Sequence, residues 1–206
     1  MLYESKHPLL KHKMSVLRDK NTCFKEFREL TNEITMLILY EALSNIEICD
    51  TPIETPLKKT TGKALKNDIV IVPVLRAGIG MLDGCLKLLP NARVGFVGMY
   101  RDHETKEPVE YYEKMPADLT DPVFYVIDPM LATGGSLIAT IDLLKRKGHK
   151  NIKVLTVLSA PEGIKAMEEK HPDVDVYTGN VDEYLDDNRY IVPGLGDAGD
   201  RLFGTK

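Results

Sequence analysis

No apolar stretch in this sequence is long enough to cross a membrane. The longest is Ile69-Val70-Ile71-Val72-Pro73-Val74-Leu75, far short of the ~20 residues a spanning helix needs. Cysteine is scarce: Cys23, Cys49 and Cys85 are odd in number, widely spaced and without a C-x-x-C pair. This argues against a disulfide framework or a structural zinc site. It suits a reducing, cytoplasmic setting in which the thiols are small and mostly buried. A basic excess is missing too. Lys and Arg number 27 against 31 Asp and Glu, a net charge of −4, so the chain as a whole lacks the electrostatic signature of a nucleic-acid grip. Blocks of like charge, internal repeats and low-complexity tracts are absent. The opening residues Met1-Leu2-Tyr3-Glu4-Ser5-Lys6-His7-Pro8 contain no apolar signal-peptide core.

What is present is ordinary for a folded domain. The chain has 206 residues, 43% hydrophobic and 28% charged, which fits one soluble domain and excludes disordered, collagen-like and coiled-coil chains. Phe24, Phe27, Leu30, Ile34, Leu37 and Ile38 recur at mostly helical spacing and predict a helix over about 22–44, with Thr22 as N-cap. Residues 47–66 carry Pro52 and Pro56 among alternating apolar positions. They predict an extended or hairpin segment at the domain edge, with a turn at Thr61-Gly62.

A strand–helix rhythm then begins. Strands are expected at 69–75, 93–99, 123–127, 151–159 and 174–177, with helices after the first, third and fourth. That alternation implies a mostly parallel sheet covered by helices. Burial on both faces explains continuously apolar strands. Ligands of such sheets bind where strands end, near a topological switch point. The loops at 75–80, 100–116, 128–136 and 191–201 are therefore the candidates.

Val123-Phe124-Tyr125-Val126-Ile127 runs directly into Asp128-Pro129-Met130-Leu131-Ala132-Thr133-Gly134-Gly135-Ser136, and a helix pattern follows at once. A helix N-terminus presents unpaired N–H groups and partial positive charge. Gly134 and Gly135 permit close approach of the backbone to an anion, and Thr133 and Ser136 add hydroxyls. Neither a P-loop nor a G-x-G-x-x-G fingerprint is present. A bare T-G-G-S also fits a plain capped turn. Asp128, at the end of the strand, adds an acid suited to ribose hydroxyls or to developing positive charge.

V-I-D-P-M-L-A-T-G-G-S resembles the 5-phosphoribosyl-1-diphosphate (PRPP) loop of the uracil phosphoribosyltransferases. The general phosphoribosyltransferase loop has two adjacent acids before T-G-G-T or T-G-G-S, and Pro129 here replaces the second, as in the uracil type. The resemblance covers essentially the whole chain. It implies a single-domain type I phosphoribosyltransferase α/β fold, with a mostly parallel central sheet flanked by helices, an extended arm and a small hood. The expected segments are 1–66 (helix and arm), 67–178 (core sheet with the PRPP loop) and 179–206 (base-binding hood). The implied reaction converts uracil and PRPP to UMP and diphosphate in pyrimidine salvage.

The resemblance also distributes roles. Asp128, Pro129, Met130, Leu131, Ala132, Thr133, Gly134, Gly135 and Ser136 hold the phosphate and ribose. Arg76, in V-L-R-A-G-I-G, and Arg101, at the end of a strand, bind the diphosphate. The arginine loop at 76 often contains a non-proline cis peptide in related enzymes. Residues after Arg101 form a hood that excludes water; His103 within it is given no role. Ile191, Gly196, Asp197 and Ala198 bind uracil, and Asp197, counted with the PRPP-binding residues too, faces the reacting carbon as proton acceptor, magnesium or ribose ligand, or charge stabiliser. Asp128, Asp197 and Arg101 are the catalytic candidates. Mg²⁺ is expected through PRPP oxygens and waters, with no residue assigned as a metal ligand. Asp182–Asp187 is expected to be a solvated face, and Asp200 and Arg201 to pair with each other.

A homodimer or larger assembly is implied, with 47–66 as a contact arm and no nucleic-acid or membrane partner. GTP activation, known in part of the family, is carried without a site. Two alternatives remain open: transfer to another base, such as a purine or orotate, and a nucleotide-sensing RNA-binding regulator of the same fold.

Overall fold

Three apolar runs rich in β-branched residues form the centre of one sheet. A computed structural model describes residues 1–101 and 108–205. Its elements are β1 (Leu2–Glu4), α1 (Pro8–Arg18), α2 (Phe24–Ala42), β2 (Ile48–Glu54), β3 (Lys59–Leu65), β4 (Ile69–Leu75), α3 (Ile79–Leu88), β5 (Arg93–Val94), β6 (Phe96–Arg101) and β7 (Pro108–Lys114). They continue with β8 (Val123–Ile127), β9 (Met130–Leu131), α4 (Gly135–Arg146), β10 (Ile152–Ser159), α5 (Pro161–Lys170), β11 (Asp175–Val181), β12 (Tyr184–Leu185), β13 (Ile191–Val192) and α6 (Ala198–Phe203).

Among the described residues the main sheet runs in the order β1-β11-β10-β8-β4-β6-β7. Its pairs are parallel except β6 with β7. Along β4, Ile69 and Ile71 face a core built with α1, α2, α3 and α6, while Val70, Val72 and Val74 face a core built with α4 and α5. Helices therefore cover both faces, which accounts for the unbroken apolar run. Each fully buried Val or Ile there contributes about 1.5–3 kcal/mol relative to exposure. The mostly parallel α/β sheet expected from the sequence is the architecture observed.

β4 and β8 are neighbours in register from Ile69↔Val123 to Pro73↔Ile127. From β4 the chain crosses to β5 and β6 on one side. From β8 it crosses through α4 to β10 on the other. The strand order reverses between them, and that places the switch point at the carboxyl ends of β4 and β8.

Several expectations need correction. Leu2–Glu4 is a strand of the main sheet, paired with Leu2↔Val176 through Glu4↔Thr178, and α1 follows it. The segment 1–66 is thus more than a helix and an arm. In α1, Leu10, Met14 and Leu17 bury one stripe, His7 caps the start through Nδ1, and Pro8 occupies the first turn. The arm is a hairpin, but its turn lies at Thr55–Lys58, where the Thr55 hydroxyl accepts from the N–H groups of Leu57 and Lys58. Thr61 and Gly62 sit inside β3. The last core strand runs on to Val181. Only Cys85 is buried; Cys23 and Cys49 are exposed.

One core group is poorly matched to its surroundings. Tyr125 is fully buried, its hydroxyl has no hydrogen-bond partner among the described residues, and burial raises the phenol above its ordinary range. An unpaired buried hydroxyl costs about 1–3 kcal/mol. Tyr125→Phe is expected to raise the unfolding free energy by about 1 kcal/mol in urea titration; a loss of that size would reveal an unrecognised hydroxyl partner.

Candidate active site

The end of β8 is held rigidly before it becomes a loop. The Pro129 carbonyl accepts from the N–H groups of Val157 and Leu158, at 3.1 and 3.0 Å. Met130 and Leu131 then add the short strand β9 beside β10, and the Leu131 carbonyl accepts from Ala160 N–H. Leu131 is fully buried. Its side chain anchors the loop, so any ligand contact it makes must come from its backbone. Past this anchor the chain turns at Gly134, whose φ of +84° L-residues with side chains rarely adopt. The helical ladder of α4 begins with Ile138 N–H donating to the Gly134 carbonyl. The N–H groups of Gly135, Ser136 and Leu137 precede that ladder and form the positive end of the helix. A methyl added at Gly135 would meet only the Thr133 hydroxyl, at 3.8 Å. Thr133, Gly135 and Ser136 thus border open space.

Asp128 stands at the mouth of this loop. Its carboxylate accepts from Met130 N–H at 3.3 Å. The side chain is half-buried at the surface but densely surrounded by protein. Burial pushes the carboxyl up to about 7, and the Met130 N–H only partly offsets this. Desolvation of the charged form is the cause.

The neighbouring strand β4 ends in the second loop. The Leu75–Arg76 peptide bond is cis, as the resemblance led us to expect. Arg76 is exposed, and among the described residues its guanidinium has no carboxylate partner. Gly78 is wedged against the site: a methyl there would lie 2.5 Å from the Ile127 carbonyl oxygen and 2.6 Å from Val74 N and O. This close approach brings the 76–80 turn directly against the end of β8, one residue before Asp128.

The C-terminal segment reaches the same end of the sheet. β12 and β13 pair in a short antiparallel ribbon, and the chain turns through cis Val192-Pro193 into Gly194–Gly196. Leu202 of α6 packs where a side chain at Gly80 would stand, with its Cδ1 at 2.5 Å from that position. The arginine loop therefore touches both the 127–136 loop and the C-terminal helix.

The sequence-predicted residues fall as follows. Arg76 and the run Asp128–Ser136 occupy adjacent loops at the switch point. Ile191 and Ala198 are buried, and Gly196 and Asp197 are exposed. Asp197 caps α6, its carboxylate accepting from Asp200 N–H at 2.8 Å. Arg101 ends β6, the strand beside β4 on the far side from β8. Its side chain, and residues 102–107 with His103, lie outside the described residues. Asp182 does not belong to a solvated face: its side chain is 2% exposed and is bound by Arg18. The Arg201 guanidinium donates to the carbonyls of Arg18, Asp19 and Leu195.

Two residues that contact the backbone of these loops carry no signal in the sequence. One is Arg18, which lies in a helix that was not foreseen. The other is Gly163 in α5, where a methyl would sit 2.3 Å from the Ala132 carbonyl oxygen. Pro161 at the first turn of α5 hinted at a helix start, but nothing local marked Gly163 as a loop support.

Among the described residues no group of three or more His, Cys, Asp or Glu is placed to hold a metal. No described helix is long and apolar enough to cross a membrane. Concave surfaces of about 490 and 470 Å³ lie elsewhere, beside Tyr40 and Leu88 and beside Asn67 and Pro90. Phosphate recognition needs converging N–H groups and positive charge more than apolar depth, and the helix N-terminus and Arg76 meet at the switch point.

Comparison with known proteins agrees with this geometry. The family model described as uracil phosphoribosyltransferase matches residues 4–205. A uracil phosphoribosyltransferase of Listeria innocua is 56% identical over 201 residues, covering 97% of this chain and 96% of that one. The structure of a protein from Aquifex aeolicus superimposes with a TM-score of 0.93 at 41% identity, covering 100% of this chain and 99% of the other. A hypoxanthine-guanine phosphoribosyltransferase of Bacillus anthracis shares the fold at a TM-score of 0.54 and 15% identity, over 77% of this chain and 80% of that one. With a match that spans the sheet, the PRPP-type loop and the C-terminal segment alike, this chain belongs to the uracil phosphoribosyltransferase family.

Proposed function

We propose that the chain transfers the phosphoribosyl group of PRPP to uracil, giving UMP and diphosphate. One observation carries the assignment to particular residues. The Asp128–Ser136 loop, which ends in the N-terminus of α4, lies against the Arg76 loop at the switch point of the sheet. In the reaction a bond forms between uracil N1 and the anomeric carbon, the bond from that carbon to the diphosphate breaks, and the N1 proton leaves. An oxocarbenium-like transition state follows by analogy with glycosyl transfer. The N–H groups of 135–137 and the hydroxyls of Thr133 and Ser136 bind the 5-phosphate, and Asp128 meets the ribose. Arg76 and Arg101 neutralise the departing diphosphate.

The segment 191–198 presents the base, with Ile191, Gly196 and Ala198 as contacts. Backbone groups suit the carbonyl–NH–carbonyl edge of uracil. A donor placed for the uracil O4 would face the amino group of cytosine, which disfavours that base. Asp197 is the candidate acceptor for the N1 proton.

The donor set suits a magnesium ion carried on substrate oxygens better than one caged by protein. Asp128 is the single acid in the loop, and no other ligand cluster stands among the described residues. When bound, the ion supplies neutralisation of diphosphate charge.

We also infer a homodimer or larger assembly in which the β2–β3 hairpin is a contact arm. Both strands are exposed nearly throughout, Leu57 at the tip is 94% exposed, and an isolated hairpin is marginal in water. GTP activation and a cytoplasmic setting remain part of the proposal, without a site for GTP.

Diphosphate release from PRPP and Mg²⁺, measured with uracil, cytosine, orotate, adenine, guanine and hypoxanthine in turn and with and without GTP, tests the base assignment. Release with uracil alone is expected; release with a different base would overturn the 191–198 assignment. The phosphate cradle has its own test. Gly135→Ala adds a methyl that the fold accommodates, so the melting temperature should stay near wild type. The same methyl enters the proposed phosphate space, and the PRPP KM should rise about tenfold, which corresponds to ~1.4 kcal/mol. An unchanged PRPP KM would place the phosphate elsewhere.

A further inference from the structure

The backbone of Gly194 and Leu195 is gripped from two sides by charged side chains, of which Arg18 lies at the other end of the chain. Asp182 accepts from Gly194 N–H at 2.8 Å, from the Asn180 amide at 2.8 Å, and from both terminal nitrogens of Arg18. Arg18 also donates to the Gly194 carbonyl, at 3.1 Å. The Leu195 carbonyl accepts from Arg201 at 3.0 Å. The Arg201 guanidinium stacks over Phe27, 4.4 Å from the ring centre, and donates to the carbonyl of Asp19 at 2.7 Å. Gly194 permits no alternative packing: with φ at +65°, a methyl there would lie 2.0 Å from the Ile191 carbonyl oxygen.

This clasp is costly for what it holds. Burial alone would raise the Asp182 carboxyl, yet hydrogen bonds from Arg18, Gly194 and Asn180 outweigh it and hold the group below the usual carboxylate range. A buried ion pair gains little net stability over apolar packing, because desolvation consumes most of the attraction. What a bidentate Arg–Asp pair does supply is fixed geometry. Here that geometry is spent on two residues of backbone immediately before Gly196, Asp197 and Ala198.

We propose that Arg18 and Asp182 are positioning residues for the base subsite. They lock Gly194 and Leu195 so that Gly196 to Ala198 present their groups to the pyrimidine edge in one orientation. Neither needs to touch the base. The proposal rests on the assignment of 191–198 as the uracil-binding segment. Its signature is asymmetric. The PRPP loop at 128–136 has backbone anchors that the clasp does not make, from the Pro129 and Leu131 carbonyls to Val157, Leu158 and Ala160, so loosening the clasp weakens uracil recognition while PRPP recognition persists.

The test compares Asp182→Asn, Arg18→Lys, their combination and Ala198→Val with wild type. Separate KM values for uracil and PRPP, kcat and melting temperature are read for each. Asp182→Asn keeps the shape of the carboxyl but removes its charge. Arg18→Lys keeps the charge but loses the planar fork. Asp182→Asn is expected to raise the uracil KM about tenfold or more and to leave the PRPP KM within about twofold. Arg18→Lys should shift the same quantity in the same direction by less. The combination should be no worse than the worse single variant, since both break one unit. Parallel changes in both KM values, or a lower melting temperature with an unchanged uracil KM, would overturn the proposal. Ala198→Val separates the two ways of failing. A raised uracil KM there with none in the clasp variants refutes the clasp alone. No change in any of them refutes the base-segment assignment, and the clasp with it. If Asp182→Asn fails to fold, Arg18→Lys carries the same comparison.

Discussion

Asp128→Asn is expected to lower kcat/KM for PRPP by about 10²–10³-fold while making the folded protein more stable above pH 7. Both effects come from one environment. Asp128 sits where β8 ends, crowded by protein, and burial pushes its carboxyl up to about 7. In the unfolded chain the same group titrates near about 3.9. A carboxyl with a raised folded value holds its proton more tightly when folded. Its contribution to stability is therefore fully present below the unfolded value and is lost as pH rises through about 7. Above pH 7 the free protein carries a carboxylate that the Met130 N–H only partly compensates, and asparagine removes that charge at nearly constant shape.

Urea titrations of the two proteins should coincide near pH 4 and diverge steadily up to about pH 7. In the proposed role the ionised form meets PRPP, so wild-type kcat/KM for PRPP should rise with pH and level off above about 7. A variant that is less stable at pH 8 would show that burial does not strain Asp128, and a fully active one that Asp128 does not engage substrate.

Gly163→Ala is expected to cost about 10²-fold in activity although Gly163 touches no reacting atom. The added methyl would stand 2.3 Å from the Ala132 carbonyl oxygen and 2.9 Å from that of Leu131. Both are backbone atoms of the 128–136 loop and have no rotamer through which to escape. Ala160 N–H already donates to the Leu131 carbonyl, which ties the start of α5 to the loop. Relief must come from moving α5 or the loop, and a displacement near 1 Å is enough for a loss of that order. Overpacking should also lower stability by about 1–3 kcal/mol. Kinetics and thermal unfolding on one preparation separate the terms. Wild-type kinetics with wild-type stability would show that α5 does not support the loop.

The sequence made the centre of the molecule legible and left its periphery obscure, for physical reasons. β4, β8 and β10 were readable because burial on both faces leaves a continuous apolar run. The Asp128–Ser136 loop was readable because a strand, an acid, paired glycines and a helix follow one another without a gap. α1 was missed because its buried stripe is three residues, Leu10, Met14 and Leu17, within a polar helix. The hairpin was foreseen, but its turn was placed at a glycine that belongs to β3, while a threonine closes the real turn. Asp182 was read as solvated because it opens an acidic run. Its partner Arg18 lies 164 residues away, and only the closed fold brings the two together. Gly163 carries no local signal, since a glycine that serves a neighbour's carbonyl looks like any other in a helix.

Product formation from carbon-labelled uracil is the most direct test of the central claim. The protein, PRPP and Mg²⁺ should convert the label to UMP with one diphosphate released per UMP, and Asp128→Asn should nearly abolish the conversion. Folded protein that forms no UMP, or that releases diphosphate without labelling a nucleotide, would contradict the account.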